Sequence, residues 1–295
     1  MGEIIGRSHG GIFADVIIPR ILGAARTFGR RLKPALLPNA IYSRGNPDHQ
    51  SAVDLFRGEW SSRLPLPGVT TGTSELYADP RVAWLAGHCG RLDGRSVLEL
   101  GPLEGGHTFA LENLGARVVA IESNQLAFQR CLIAKNALGM RATFLLGDFT
   151  RYLATTTERY DLVFASGVLY HMQDPVALLK DVSRVSNAVF IWTHYYDEAA
   201  IGKLPRIACS FTGRKSAAAV DGNARVEYHE RAYRAGLLTY LLPGFCGGMN
   251  VKTNWMTVDD LDKCLASLGF DVREAQIEAG NPNGPCVSIY GRRSA

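Results

Sequence analysis

The sequence predicts an α/β fold built on an open parallel β-sheet, and three observations carry that prediction. From Arg95 to about residue 192, short strand-like apolar runs alternate with helical ones. Such alternation implies parallel strands joined by right-handed crossovers, with helices on both faces. A glycine-rich turn, Gly101-Pro102-Leu103-Glu104-Gly105-Gly106, follows the first of these strands. Two further strand-like runs close the chain as a hairpin, which adds an antiparallel pair to the sheet.

The chain has 295 residues, 46% hydrophobic and 20% charged. That composition belongs to a globular protein with a sizeable core and excludes disordered, collagen-like and low-complexity classes. No stretch reaches the ~18 uninterrupted apolar residues of a membrane span. The net charge of +4 does not by itself demand a nucleic-acid partner. It is unevenly placed: Arg7, Arg20, Arg26, Arg30, Arg31, Lys33 and Arg44 stand against Glu3 and Asp15, so residues 1–45 are basic and the rest is close to neutral. The six cysteines form no C-x-x-C pair and read as reduced packing residues. Arg20 interrupts the apolar leader, so no secretory signal is expected and the chain is read as cytoplasmic.

In chain order, Ile12, Phe13, Val16, Ile17, Ile21 and Leu22 recur at helical spacing among arginines, giving a basic amphipathic helix over 12–33. Such a helix packs on its own domain, or meets a membrane surface or RNA phosphates. Pro34, Pro38, Gly45 and Pro47 mark a loop. A helix is expected from Glu75 to about His88, restarted near Pro80. Strands follow at 96–100, 117–121, 142–146, 161–165 and 188–192, with helices at 105–114, 124–137 and 175–185 and a short one after the third strand. The segment 195–255 is too long for a simple crossover and reads as an inserted cap, with a helix at about 224–242 and a glycine-rich loop at 244–248. Thr257 and Asp260 form a capping-box signature for a helix that closes at Gly269. Strands at 271–278 and 287–292 flank the turn Asn281-Pro282-Asn283-Gly284-Pro285.

Ligands of open parallel sheets bind outside the carboxyl ends of the strands. Those ends carry Glu99 and the glycine-rich turn, Glu122-Ser123, Asp148-Phe149, Ser166-Gly167 with Tyr170-His171, and His194-Tyr195. The glycines let backbone approach a ligand closely. Glu122 offers a carboxylate to both hydroxyls of a ribose. Asp148 offers an acceptor to an exocyclic amine, and Phe149 a ring to an adenine face. Together they describe an adenosine cradle, and Glu99 beside the first turn favours a ligand with a cationic centre. A dinucleotide site needs G-x-G-x-x-G, and Leu103 stands where its middle glycine belongs, so a nicotinamide enzyme is disfavoured.

The stretch from about 74 to 292 resembles the class I S-adenosylmethionine-dependent methyltransferases. Glu99-x-Gly101-x-x-x-Gly105 is similar to that family's first motif, and Glu122, Asp148 and the strand 161–167 are similar to its later ones; Leu103 departs from the pattern. The run Gly167-Val168-Leu169-Tyr170-His171, with Asp174-Pro175 after it, resembles the branch containing bacterial tRNA wobble-uridine carboxymethyltransferases. The resemblance implies a Rossmann-like seven-stranded sheet in the order 3-2-1-4-5-7-6 with the last strand antiparallel. It also implies a helical N-terminal extension and lid over 1–73 and a cofactor-binding domain over 74–295 with the cap 195–255.

S-adenosylmethionine is the implied cofactor, held by Glu99, Gly101, Pro102, Gly105, Glu122, Ser123, Asp148, Phe149, Ser166, Gly167 and Tyr170. His171 or His194 is the candidate to remove a proton from the acceptor. Trp60, Tyr195, His229 and Trp255 are candidates for substrate contact, and no metal ligands are assigned. The expected activity is O- or N-methylation of a small molecule. An RNA-modifying methyl- or carboxymethyltransferase and a non-catalytic cofactor-binding scaffold, docked peripherally on a membrane through 12–33, are the alternatives.

Overall fold

A computed structural model of the chain describes residues 42–233 and 248–293. The expected helix at 12–33 and most of the loop at 244–248 lie outside these residues. Among the described residues no helix is long and apolar enough to cross a membrane.

Among the described residues ten strands form, and the first five follow the expected alternation with helices. β1 is Ser96–Leu100, β2 Arg117–Glu122, β3 Thr143–Leu146, β4 Leu162–Ser166 and β5 Ala188–His194. Ahead of them lie α1 (His49–Val53) and α2 (Pro80–Cys89); between them lie α3 (Gly106–Asn113), α4 (Gln125–Leu138), α5 (Phe149–Thr155) and α6 (Pro175–Val185). Then come α7 (Glu198–Gly202), α8 (Pro205–Ala208), β6 (Phe211–Ala219), β7 (Arg225–Ala232), β8 (Lys252–Trp255), α9 (Val258–Ser267), β9 (Asp271–Glu278) and β10 (Cys286–Arg292).

The helix starts follow from local chemistry. Asp79, Asn124, Asp148, Asp174 and Thr257 cap α2, α4, α5, α6 and α9 with their side-chain oxygens, and proline occupies the first turn of α2 and α6. The expected helix from Glu75 resolves into a 3₁₀ turn, Leu76–Ala78, and then α2, because Asp79 is extended and caps a new helix.

The main sheet has the order β3-β2-β1-β4-β5-β10-β9. β10 runs antiparallel to both neighbours, and the other pairings are parallel. This is the expected order 3-2-1-4-5-7-6 with the last strand reversed. Period-two alternation divides the core: Leu98, Leu100 and Val163 face α5, α6 and α9, while Val97, Val118, Phe164 and Phe190 face α2, α3 and α4. Each fully buried Leu, Val or Phe contributes about 1.5–3 kcal/mol.

The segment 195–255 forms an antiparallel sheet, β6-β7-β8, preceded by α7 and α8. The helix expected at 224–242 is corrected over its described part: residues 225–232 are β7. Val226 and Tyr228 are buried while Arg225 and Glu227 are exposed, a strand period. Residues 234–242 lie outside the described residues.

Ahead of α2, Phe56, Trp60, Leu64 and Tyr77 pack against α4. The fully buried Glu104 fastens this layer to the turn after β1. Its carboxylate accepts hydrogen bonds from Ser61 N at 2.9 Å and Ser62 N at 2.8 Å and pairs with Arg130 at 3.1 Å. Its carbonyl accepts from the Tyr77 hydroxyl at 2.5 Å.

Candidate active site

A cavity of about 370 Å³ opens at the carboxyl ends of the central strands. Its floor is the turn after β1. Gly101, Leu103 and Gly105 all adopt left-handed backbone, with φ of 67°, 57° and 78°. Two of them use the freedom glycine provides; the leucine does not have it. Gly106 is required for a different reason: a Cβ there would lie 2.8 Å from the backbone of Leu76, so only glycine lets the 3₁₀ turn close on the start of α3.

Glu122 closes β2 and faces this cavity. Its Oε2 accepts from Leu103 N at 3.0 Å and its Oε1 from Asn124 N at 2.8 Å. Burial raises its pKa, against which the backbone donors act. Each oxygen keeps acceptor capacity for a ligand hydroxyl. Asp148 spends Oδ1 on capping α5, accepting from Thr150 N at 2.8 Å and Thr150 Oγ1 at 2.7 Å. Ser123, Asn124 and Phe149 complete this end.

The opposite end is built from the tips of β4 and β5 and the turn Leu169–His171. Gly167, at φ 82°, allows the chain to turn there. Arg81 reaches across from α2. Its Nε donates to Asp79 Oδ1 at 2.8 Å, its Nη1 donates to Ser166 Oγ at 3.0 Å, and its guanidinium lies 4.4 Å from the centre of the Trp192 ring. His107 Nε2 is 3.1 Å from Asp79 Oδ2. Burial works to raise the Asp79 pKa, but the bonds from His107 and Arg81 outweigh it and hold the carboxyl well below its ordinary range. Burial lowers the His107 pKa, partly offset by Asp79. Arg81, His107 and Trp192 line the cavity. Sequence reasoning missed them and Asp79; Asp79-Pro80, a helix-start signature, was the signal available for one of the four.

His171 lines the cavity, its Nδ1 2.5 Å from the Tyr233 hydroxyl. Burial, reinforced by Arg231 and His194, lowers its pKa to about 3, so the ring is neutral. Gly101, Pro102, Glu122, Ser123, Asp148, Phe149, Ser166, Gly167, Tyr170 and His171 thus share one cavity.

Several expected site residues lie elsewhere. Glu99 is 1% exposed and sits behind the cavity wall; one oxygen accepts from the Thr108 hydroxyl, and Oε1 has no hydrogen-bond partner among the described residues. Burial raises its pKa to about 8. Gly105 faces the Phe144 ring instead of the cavity, because the turn reverses there. His194 stacks on Trp255 with ring centres 5.2 Å apart, and its Nδ1 bonds to the Gly284 carbonyl at 2.9 Å, so the β9–β10 turn holds it away from the cleft. Trp255 donates to the Tyr170 carbonyl at 3.1 Å and braces the cavity wall from behind. Tyr195 is buried, its backbone bonded to Pro285. His229 stacks on Tyr196 within the cap, ring centres 3.5 Å apart. Trp60 donates to the Val53 carbonyl at 3.0 Å inside the N-terminal layer. Among the described residues no group of three or more His, Cys, Asp or Glu gathers as a metal site.

Residues 98–188 match a family described as "Methyltransferase domain". The tRNA U34 carboxymethyltransferase of Psychrobacter arcticus is 29% identical over 118 residues, 37% of this chain and 34% of that protein. The cypemycin N-terminal methyltransferase of a Streptomyces species is 33% identical over 107 residues, 35% of this chain and 42% of that protein. The chain therefore spans about a third of the length of the first of these relatives. Among solved structures, the N-terminal domain of EvdMO1 with S-adenosylhomocysteine bound aligns with a TM-score of 0.59 at 23% identity, over 85% of this chain and 100% of that one. The magnesium protoporphyrin IX methyltransferase of Synechocystis, also with S-adenosylhomocysteine bound, aligns with a TM-score of 0.51 at 18% identity, over 95% of this chain and 100% of that one. Residues 98–188 are thus similar to a methyltransferase domain, and the chain shares the fold of these two solved structures.

Proposed function

We propose that this methyltransferase domain binds S-adenosylmethionine in the cavity below Arg81 and transfers its methyl group to a small-molecule hydroxyl or amine. The observation that carries the reading is the convergence of Glu122, Asp148 and the left-handed turn 101–105 on one hollow. Its volume of about 370 Å³ falls in the range of ~300–1,000 Å³ that ligand sites occupy. The donor set also fits the cofactor: a carboxylate with spare acceptor capacity at each end of the nucleoside, an aromatic ring between α5 and the cavity, and close backbone at the turn.

When bound, S-adenosylmethionine supplies a methyl group activated by its sulfonium. Glu122 accepts the ribose hydroxyls, Asp148 the adenine amine, and Phe149 packs on the base. Gly101 and Pro102 give backbone contact to the amino-acid end. Tyr170, His171 and Trp192 shape the acceptor end and hold the acceptor in line, which is the main catalytic task where the donor is already reactive. Because His171 is neutral, it accepts a hydrogen bond from the acceptor and so orients it, while the burial that keeps the ring neutral opposes its taking the proton.

The acceptor end, lined by Tyr170, His171 and Trp192, favours a small molecule with an apolar or aromatic face. Similarity to tRNA U34 carboxymethyltransferases over 37% of the chain favours RNA as the second reading. Thermal unfolding with S-adenosylmethionine, S-adenosylhomocysteine, NAD or no ligand tests the cofactor: the two adenosyl ligands should raise the melting temperature and NAD should not. A labelled methyl donor offered with a metabolite extract or with tRNA then separates the acceptors, because RNA binding weakens steeply with salt.

A further inference from the structure

The cap is fastened to the turn that carries His171. From β8, Trp255 donates to the Tyr170 carbonyl and Asn254 N donates to the Met172 carbonyl at 2.9 Å. Tyr233, just past the end of β7, reaches the same turn with its side chain. Its hydroxyl lies 2.5 Å from His171 Nδ1, across 62 residues of sequence. Tyr233 is itself held: its N donates to the Val251 carbonyl at 2.9 Å, and its ring centre lies 5.0 Å from the Arg231 guanidinium carbon. Gly248 packs on His171 so closely that a Cβ there would lie 3.0 Å from the His171 Cβ. These contacts fix the ring, and with Nδ1 taken by Tyr233 the nitrogen left for a ligand is Nε2.

A neutral imidazole carries one N–H, and the partner of one nitrogen sets the state of the other. If the Tyr233 O–H donated to Nδ1, Nε2 would carry the proton and offer the cavity a donor. A donor at the acceptor atom would engage the lone pair that must attack the methyl group, and an amine has a single lone pair. If instead Nδ1–H donates to the Tyr233 oxygen, Nε2 is bare. It then accepts a hydrogen bond from the acceptor and leaves that lone pair free to face the methyl group.

We propose that Tyr233 is a positioning residue: its hydroxyl oxygen accepts from His171 Nδ1–H and so fixes the tautomer that presents a bare Nε2 to a hydroxyl or amine acceptor. This rests on the methyl-transfer reading above and gives its acceptor end a residue supplied by the cap. Tyr233 acts through His171 and leaves cofactor binding to the strand ends.

The test is heteronuclear NMR of the full chain with isotope-labelled histidine rings, as wild type and Tyr233→Phe, with His171→Gln assigning the resonance. Phenylalanine keeps the ring and deletes only the hydroxyl, so a packing role alone would leave the tautomer unmoved. Wild type should show His171 protonated at Nδ1 and bare at Nε2. Tyr233→Phe should release that state and move the proton to Nε2 in a substantial fraction of molecules. Calorimetric titration should show S-adenosylhomocysteine affinity within about two-fold of wild type. With the acceptor that the labelled-donor assay identifies, kcat should fall about ten-fold while the KM for S-adenosylmethionine stays within about two-fold. A wild-type ring protonated at Nε2, a tautomer unmoved in Tyr233→Phe, or a kcat within about two-fold of wild type overturns the proposal. Should Tyr233→Phe fail to fold, the wild-type spectrum decides alone. A wild-type chain that binds no S-adenosylhomocysteine overturns the methyl-transfer reading instead, a result on which the ring spectra do not depend.

Discussion

Replacing Glu99 with glutamine should stabilise the protein, and only above acidic pH. Glu99 is buried behind the first turn with one oxygen unpartnered, and burial raises its pKa from 4.5 to about 8. A carboxyl whose pKa is higher in the fold than in the unfolded chain contributes its full stability below the unfolded value and loses it as pH rises through the folded one. At ~1.36 kcal/mol per pH unit, holding a proton that the unfolded chain releases costs the native state about 1 kcal/mol near pH 5, about 3 kcal/mol near pH 7 and about 4 kcal/mol near pH 8. Glutamine has the same shape, keeps an acceptor for Thr108 and cannot ionise. Urea unfolding of wild type and Glu99→Gln across that interval should give stabilities that differ by about 1 kcal/mol near pH 5 and by about 4 kcal/mol near pH 8. A constant gap across the interval, or a variant less stable than wild type near pH 8, would refute the assignment of Glu99 as a buried neutral acid.

Three other outcomes are expected. Glu122→Ala removes the acceptor proposed to face the ribose and strands the Leu103 and Asn124 amides, so titration should show S-adenosylhomocysteine affinity down by about a hundred-fold, or ~3 kcal/mol. Gly106→Ala forces a Cβ to within 2.8 Å of the Leu76 backbone, and chemical denaturation should report a loss of about 1–3 kcal/mol. His171 is neutral down to about pH 3, so once an acceptor is identified the rate profile between about pH 5 and pH 8 should carry no limb from this residue. A limb near pH 6.5 that disappears in His171→Gln would contradict that burial.

The central sheet was legible because β1, β2, β4 and β5 are short apolar runs punctuated by glycine turns, a local signal. The strand-end acids were legible for the same reason: topology alone sends Glu122 and Asp148 to one rim. Glu99 was read as a ligand contact because it also ends a strand. Its side chain instead alternates toward α3, where Thr108 takes one oxygen. β7 was mistaken for a helix although Val226 and Tyr228 already mark a period of two. His194 was placed in the cleft because the carbonyls of the β9–β10 turn that hold it come from about 90 residues downstream, beyond any local pattern. The Asp79–Arg81–His107 cluster joins α2 to the start of α3 and the tip of β4, and only the tertiary fold brings those side chains together.

The Glu104 tie has a consequence for how the chain can be divided. A shortened version starting at residue 74 would remove Ser61 and Ser62, the two amides that hold this carboxylate, and leave a buried anion with Arg130 in the very loop that floors the cavity. The stretch before the sheet thus behaves as masonry: it bears on the floor from the side opposite the ligand, so trimming there should be felt first as weakened nucleoside affinity and only afterwards as unfolding.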